Sequence, residues 1–152
     1  MEYTTREQSL MLENEGLEIT TADMFYNEEP DEYTNIEVDK YPQLILEGQS
    51  NYLEYYGVPC WTADRLLKLI PKRVGDMTLE MGFDTLGDGS DEYSIFYVDG
   101  SDSPLFGFNS GKSLFECALK MVVWCLKNQY IKNTKHEKPD LSKLTKGKVL
   151  IS

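Results

Sequence analysis

Gly107-Phe-Asn-Ser-Gly-Lys-Ser113, "GFNSGKS", runs straight into Leu114-Phe-Glu-Cys-Ala-Leu-Lys-Met-Val-Val-Trp-Cys-Leu-Lys127, and the fold follows from how that junction is read. A phosphate-binding loop needs Gly, four spacer residues and then Gly-Lys-Ser/Thr, so that consecutive backbone amides wrap the phosphates. Here only three residues separate Gly107 from Gly111, and Phe106 stands where the first glycine belongs. Such a loop also joins a parallel strand to its crossover helix, whereas the strand before this one closes an antiparallel series. The other reading accounts for every residue. Ser113-Leu-Phe-Glu116 is a capping box, and Gly111 eases the turn into it. From Leu114 to about Gln129 the polar positions Glu116, Lys120 and Lys127 share one stripe while nearly all others are apolar, the pattern of a central core helix.

Upstream, Met77, Leu79, Met81 and Phe83 alternate with Thr78, Glu80, Gly82 and Asp84, which predicts a half-buried strand. Gly87-Asp88-Gly89-Ser90 is a turn, Tyr93 to Val98 is a second strand, Asp99-Gly100 opens a second turn, and Leu105 to Phe108 is a third strand. Before them Thr62 caps a helix that runs to Ile70 and is closed by Pro71. At the N-terminus Thr5-Arg6-Glu7-Gln8 is a second capping box. Its helix runs to about Glu15, with Gly16 free to take the left-handed stop and Leu17 placed for the accompanying apolar contact. A short helical turn from Thr20 or Thr21 is expected to carry Met24, Phe25 and Tyr26.

The fold class expected is therefore α+β: a three-strand antiparallel meander on a long C-terminal helix, in the order helix-β-β-β-helix, with an N-terminal helical segment. One domain covers residues 1–131, comprising the helical segment 1–26, an irregular acidic and Tyr-rich segment 27–60, and the core 61–131. Within 27–60, Leu44-Ile45-Leu46 is at most a short strand. Residues 132–152 form a Lys-rich tail.

Composition bounds the function. With 41% hydrophobic and 27% charged residues in 152, the chain is a globular domain rather than a disordered one. Its longest apolar run, Met121 to Leu126, is far short of a membrane span, and MEYTTREQ lacks the features of a secretory signal. Three cysteines without CxxC spacing, Cys60, Cys117 and Cys125, read as reduced, buried thiols of a cytoplasmic protein. The net charge of −11 is segregated: residues 1–60 carry −12, residues 61–104 carry −5 and residues 105–152 carry +6. An acidic half repels a phosphate backbone, so nucleic acid is disfavoured as a partner. The same segregation permits head-to-tail contact between copies, which leaves a homo-oligomer open.

No catalytic constellation emerges. The single histidine, His136, lies in the Lys-rich tail, away from every candidate nucleophile in sequence. One His and no close Cys pair give zinc too few ligands. Asp88-Gly-Ser-Asp91-Glu92 and Asp99-Gly-Ser-Asp102 are acidic, but neither follows the alternating ligand series of a calcium loop, and both have ordinary hairpin-turn composition. No cofactor, metal or catalytic residue is assigned. The residues that stand out are tyrosines set among acids, of which Tyr33, Tyr41, Tyr52, Tyr55 and Tyr56 form a candidate interaction surface.

The helix-meander-helix order is similar to that of the double-stranded RNA-binding domain, which grips phosphate with a Lys-rich cluster at the start of its last helix. Here that place reads Gly111-Lys112-Ser113-Leu-Phe-Glu116, with one lysine and one acid, so the binding chemistry is missing. "TTREQSLMLENEGLEITTADMFY" (4–26), "VPCWTADRLLKLIP" (58–71) and "SLFECALKMVVWCLKNQYI" (113–131) resemble successive blocks of a family of small uncharacterised proteins of gut Bacteroidetes and their phages and mobile elements. That resemblance implies a cytoplasmic, phage- or mobile-element-encoded accessory protein and brings no activity or site residues with it. The leading expectation is a non-enzymatic protein that acts by binding another protein. The alternatives are an acidic nucleic-acid mimic that blocks a host protein, and a small-ligand-binding or hydrolytic domain with an unrecognised site.

Overall fold

The Ser113 hydroxyl accepts a hydrogen bond from the Glu116 amide at 3.1 Å and starts the core helix. The reciprocal half of the box is displaced by one residue: the Glu116 carboxylate accepts from the Lys112 amide at 3.2 Å, not from that of Ser113. A Cβ on Gly111 would lie 2.9 Å from the Glu116 side chain, so the missing side chain is what lets the carboxylate fold back. It also holds Lys120 one turn on, at 3.4 Å.

The computed structural model describes residues 2–27, 41–45, 57–100 and 105–134. Among them are helices α1 (Arg6–Asn14), α2 (Ala63–Leu69) and α3 (Leu114–Lys127), a 3-10 turn (Ile19–Thr21), and strands β1 (Met24–Asn27), β2 (Gln43–Leu44), β3 (Gly57–Cys60), β4 (Arg73–Val74), β5 (Met77–Thr85), β6 (Asp91–Val98) and β7 (Phe106–Gly111). The fold is mixed α+β with two antiparallel sheets, ordered β2-β1-β3 and β4-β5-β6-β7.

Both predicted capping residues of the first two helices act as expected. Thr5 and Gln8 exchange side-chain-to-backbone bonds at 3.1 and 2.9 Å, and the Thr62 hydroxyl accepts from the Arg65 amide at 3.1 Å. Gly16 takes φ +105°. The Leu17 amide bonds to the Leu12 carbonyl at 3.0 Å and that of Gly16 to Glu13 at 3.0 Å. This is the Schellman stop, and Leu12 and Leu17 are both buried.

Three expectations change. Met24, Phe25 and Tyr26 are a strand, not a helical turn: β1 pairs with β3 in the register Met24↔Cys60 to Asn27↔Gly57. Tertiary pairing with residues more than thirty positions away overrides the local reading. Gly57–Cys60 is therefore strand rather than irregular chain, and the strand expected at Leu44 spans Gln43–Leu44. Finally, the meander has a fourth strand. The two-residue turn Gly75-Asp76, with Gly75 at φ +61°, folds β4 back on β5. Residues 101–104, which include Ser101 and Asp102 of the second acidic turn, and the tail beyond Thr134 lie outside the described residues.

α3 lies along β6, with the Cys117 thiol donating to the Tyr93 carbonyl at 3.3 Å near one end and Cys125 beside the Tyr97 hydroxyl at 3.8 Å near the other. Tyr97 is fully buried and donates to the Pro71 carbonyl, which ties the sheet to the end of α2. Trp61, Leu66, Ile70, Ile95, Met121 and Leu126 fill the space between sheet and helices. Gly107 sits inside β7, not in a loop. It takes φ +62° where the β6–β7 register slips between Ile95 and Tyr97, which makes a bulge. A Cβ there would lie 2.8 Å from the Trp124 ring. The first glycine of "GFNSGKS" therefore serves a strand bulge and the packing of one indole.

A second, smaller cluster joins Met24, Tyr26 and Cys60 under α1. Its centre is the fully buried Thr4. The Thr4 hydroxyl accepts from the Trp61 amide at 3.1 Å and shares a proton with Ser9 Oγ at 2.7 Å. The Thr4 carbonyl accepts from Tyr26 Oη at 2.8 Å and from the Cys60 thiol at 3.3 Å. Thr4→Ala leaves the buried Trp61 amide and Ser9 hydroxyl short of a partner and should cost about 2 kcal/mol in urea unfolding. Thr4→Ser keeps the hydroxyl and should cost about 1 kcal/mol. Gly107→Ala, which forces a side chain into the left-handed region and against Trp124, should cost about 2 kcal/mol or more in the same assay.

Candidate interaction surface

A catalytic thiol must be accessible to its substrate. All three thiols are free, fully buried and held as weak acids. Burial pushes Cys125 up to about 11, and raises Cys60 and Cys117 above the ordinary thiol range. Burial likewise pushes Tyr26 up to about 12, with Cys60 close by adding to the shift. Cys60 lies at the end of β3, two residues ahead of the cap of α2, and donates to the Thr4 carbonyl, so it is a packed hydrogen-bond donor rather than a thiol activated by the helix entrance. Every buried side-chain nitrogen and oxygen in the described residues has a partner.

The turn at Asp88 is satisfied from within. Its carboxylate accepts from the Ser90 amide at 2.9 Å and from the Ser90 hydroxyl at 2.6 Å, and these bonds hold it below the usual carboxylate range. Among the described residues no three of His, Cys, Asp and Glu converge as metal ligands would. No helix among them is long and apolar enough to cross a membrane.

Of the five tyrosines singled out, only Tyr41 is among the described residues; Tyr33, Tyr52, Tyr55 and Tyr56 lie outside them, as does His136. Tyr41 is 73% exposed and borders an open cleft of about 500 Å³ shared with Tyr3, Arg6 and Tyr26. In that cleft the Arg6 guanidinium sits 4.7 Å from the centre of the Tyr26 ring. A second cleft, of about 460 Å³, has an apolar floor of Met11, Leu119, Val123 and Trp124. Glu15 and Lys127 pair across its rim at 3.9 Å. The first cleft is also lined by Thr5 and Glu7, and the Thr5 hydroxyl is engaged by the Gln8 amide as a helix cap.

The feature that sequence reasoning missed is the free side of β5. β4 covers only its first residues, Arg73↔Thr78 and Val74↔Met77, and the last bond between them runs from the Leu79 amide to the Lys72 carbonyl at 2.9 Å. From Glu80 to Thr85 no described strand pairs with that edge. In an antiparallel ladder, alternate residues direct their amide and carbonyl to opposite sides. Since Leu79 points toward β4, Met81 and Phe83 point the same way and present their backbone groups to the open edge.

The same alternation divides the side chains between the two faces. Met81 and Phe83 lie opposite Ile95 and Tyr93, on the α3 face of the sheet. α3 packs on β6 and β7, however, and Met81 and Phe83 beyond its flank are 52% and 56% exposed. The Phe83 ring leans on Tyr93 with centroids 5.0 Å apart. On the other face stand Glu80 and Asp84, with Glu92 opposite Asp84. No described Lys or Arg forms an ion pair with any of the three. The same outer face carries Phe108, 52% exposed and stacked on Phe96 at 5.7 Å. The sequence signal for the open edge was the Val74-Gly75-Asp76-Met77 turn, which fixes how short β4 must be.

Comparison of the chain with protein-family models, curated proteins and solved structures gives no match.

Thiols and phenols with raised pKa are neutral in the fold, so their contribution is intact below the ordinary values of 9.0 and 10.0 and is lost as pH climbs through about 11 and about 12. The urea midpoint should accordingly fall as pH rises above about 9. At about pH 8 the three thiols should react with Ellman's reagent no faster than the protein unfolds, and freely in denaturant. Fast reaction of even one thiol in the folded protein would show that its burial is not maintained.

Proposed function

We propose that this protein acts without catalysis, by binding another protein, and that the open side of β5 with Met81 and Phe83 is where contact is made. One observation carries the reading: two large apolar side chains are more than half exposed on a strand whose backbone groups at the same residues have no partner among the described residues. Isolated exposed apolar residues are ordinary, but exposed apolar side chains on an open sheet edge are what other strands bind. The state of the other groups supports it. The three thiols and the buried Tyr26 and Tyr97 are neutral and hydrogen-bonded, so these groups are spent on structure.

The reading keeps the expectation of a cytoplasmic accessory protein. Three unpaired thiols suit a reducing compartment. The resemblance of residues 4–26, 58–71 and 113–131 to small proteins of gut Bacteroidetes and their mobile elements fits an accessory role. It replaces the tyrosines as the leading surface with β5, while Tyr41 remains an exposed aromatic on a different part of the molecule.

A photo-crosslinking amino acid placed at Phe83 should give one dominant protein adduct in cells of the source organism. The same group at Asp64, on the exposed side of α2, should give none. Met81→Ser with Glu80 as the crosslinking position should reduce the adduct at least about fivefold. Equal, diffuse labelling from both positions would remove β5 as the contact surface.

A further inference from the structure

Resting on the reading of this edge as a docking surface, we infer that its partner is an extended segment in which basic and apolar residues alternate, added to β5 in line with β4. The backbone sets the first requirement. Met81 and Phe83 offer outward amides and carbonyls, and only a segment in strand conformation returns the matching pattern. β4 blocks the edge as far as Leu79, so the added strand spans Glu80 to Thr85.

Side chains set the second requirement. A residue paired with Met81 or Phe83 projects toward the α3 face, where it meets those two exposed side chains, and should be apolar. Its neighbours project to the outer face, beside Glu80 and Asp84, with Glu92 one strand further in. Like charges directly opposite destabilise a sheet and opposite charges stabilise it, so these neighbours should be Lys or Arg. Gly82, between the two acids, has no side chain to obstruct a long basic one. The exposed Lys72 and Arg73 stand at the blocked end and confine the basic residues to the stretch beyond Leu79.

A second copy of the chain fits less well. With β4 in place, two β5 edges can pair only through residues 80–85. The register that sets Met81 against Phe83 of the other copy puts Glu80 opposite Asp84 twice over. The next register, with Phe83 opposite itself, sets the two Asp84 side chains on a diagonal. Each copy also carries a net charge of −11.

The test uses the full chain, isotope-labelled for NMR, and three capped octapeptides: alternating Lys and Val, the same residues in two blocks, and alternating Glu and Val. At low salt the alternating Lys–Val peptide should slow hydrogen exchange at the Met81 and Phe83 amides by roughly tenfold or more. The other two should leave those amides unchanged. Glu80→Lys with Asp84→Lys, both at exposed positions, should weaken the Lys–Val peptide roughly tenfold. Equal protection by the block peptide would show that alternation is not read, and equal protection by the Glu–Val peptide that charge is not. Protection without peptide, growing with protein concentration alongside a dimer in sedimentation equilibrium, would name a second copy as the occupant and overturn the proposal. If no peptide protects the edge while the Phe83 crosslink persists, the partner chemistry fails and the docking surface stands. Loss of the crosslink would end both.

Discussion

A single buried hydroxyl and the carbonyl beside it tie the N-terminal segment to β1, to β3 and to the entry of α2. Thr4 precedes the N-terminal helix, yet its polar atoms meet β1 through Tyr26, β3 through Cys60, and the entry to α2 through the Trp61 amide. The Thr4 amide closes the set by donating to the Trp61 carbonyl at 2.9 Å. Asp23 reinforces the same seam, accepting from the Thr62 amide at 3.0 Å and hydroxyl at 2.6 Å. Buried polar networks of this kind are favourable only when each member is satisfied, and here each is. The seam fixes where α2 begins, and α2 in turn fixes where β4 begins.

The other organising device is the meander with its bulge. Gly107 lets β7 carry one extra residue, which allows Phe106 to face the core while Phe108 stacks on Phe96 outside. The chemistry that "GFNSGKS" seemed to promise is thus divided among three structural tasks: a bulge at Gly107, space for the Glu116 carboxylate at Gly111, and a helix cap at Ser113. At the far end of α3, Gln129 takes φ +62° to stop the helix, and Asn133 then fills the space that Gly16 leaves by lacking a side chain.

Local signals in the sequence were legible and distant ones were not. Thr5-x-x-Gln8, Gly16, Thr62 and Pro71 act within a few residues of themselves, and each marks the boundary that it was read to mark. The alternation from Met77 to Phe83 identified its strand correctly. It also implied that the apolar side would be covered, and for Met81 and Phe83 it is not, because coverage depends on where a helix over thirty residues later comes to rest. Met24-Phe-Tyr26 illustrates the same limit: its strand character exists only through β2 and β3. Nothing in the sequence neighbourhood of Thr4 announces its contacts with residue 61. The candidate surface was illegible for this reason, being defined by what fails to pair. The tyrosines that composition drew attention to are a property of content, whereas an open edge is a property of arrangement.

The brevity of β4 has a consequence for how such a protein can change. Only Lys72, Arg73 and Val74 separate Pro71 from the turn at Gly75, and both ends of that interval are anchored. Each residue inserted there would carry β4 about one position further along β5, and four would bring it alongside Gly82. Substitutions can adjust the character of the edge but cannot close it. Its exposure is instead metered by chain length, so a short insertion or deletion in this interval is the variation through which related proteins would lose or gain it.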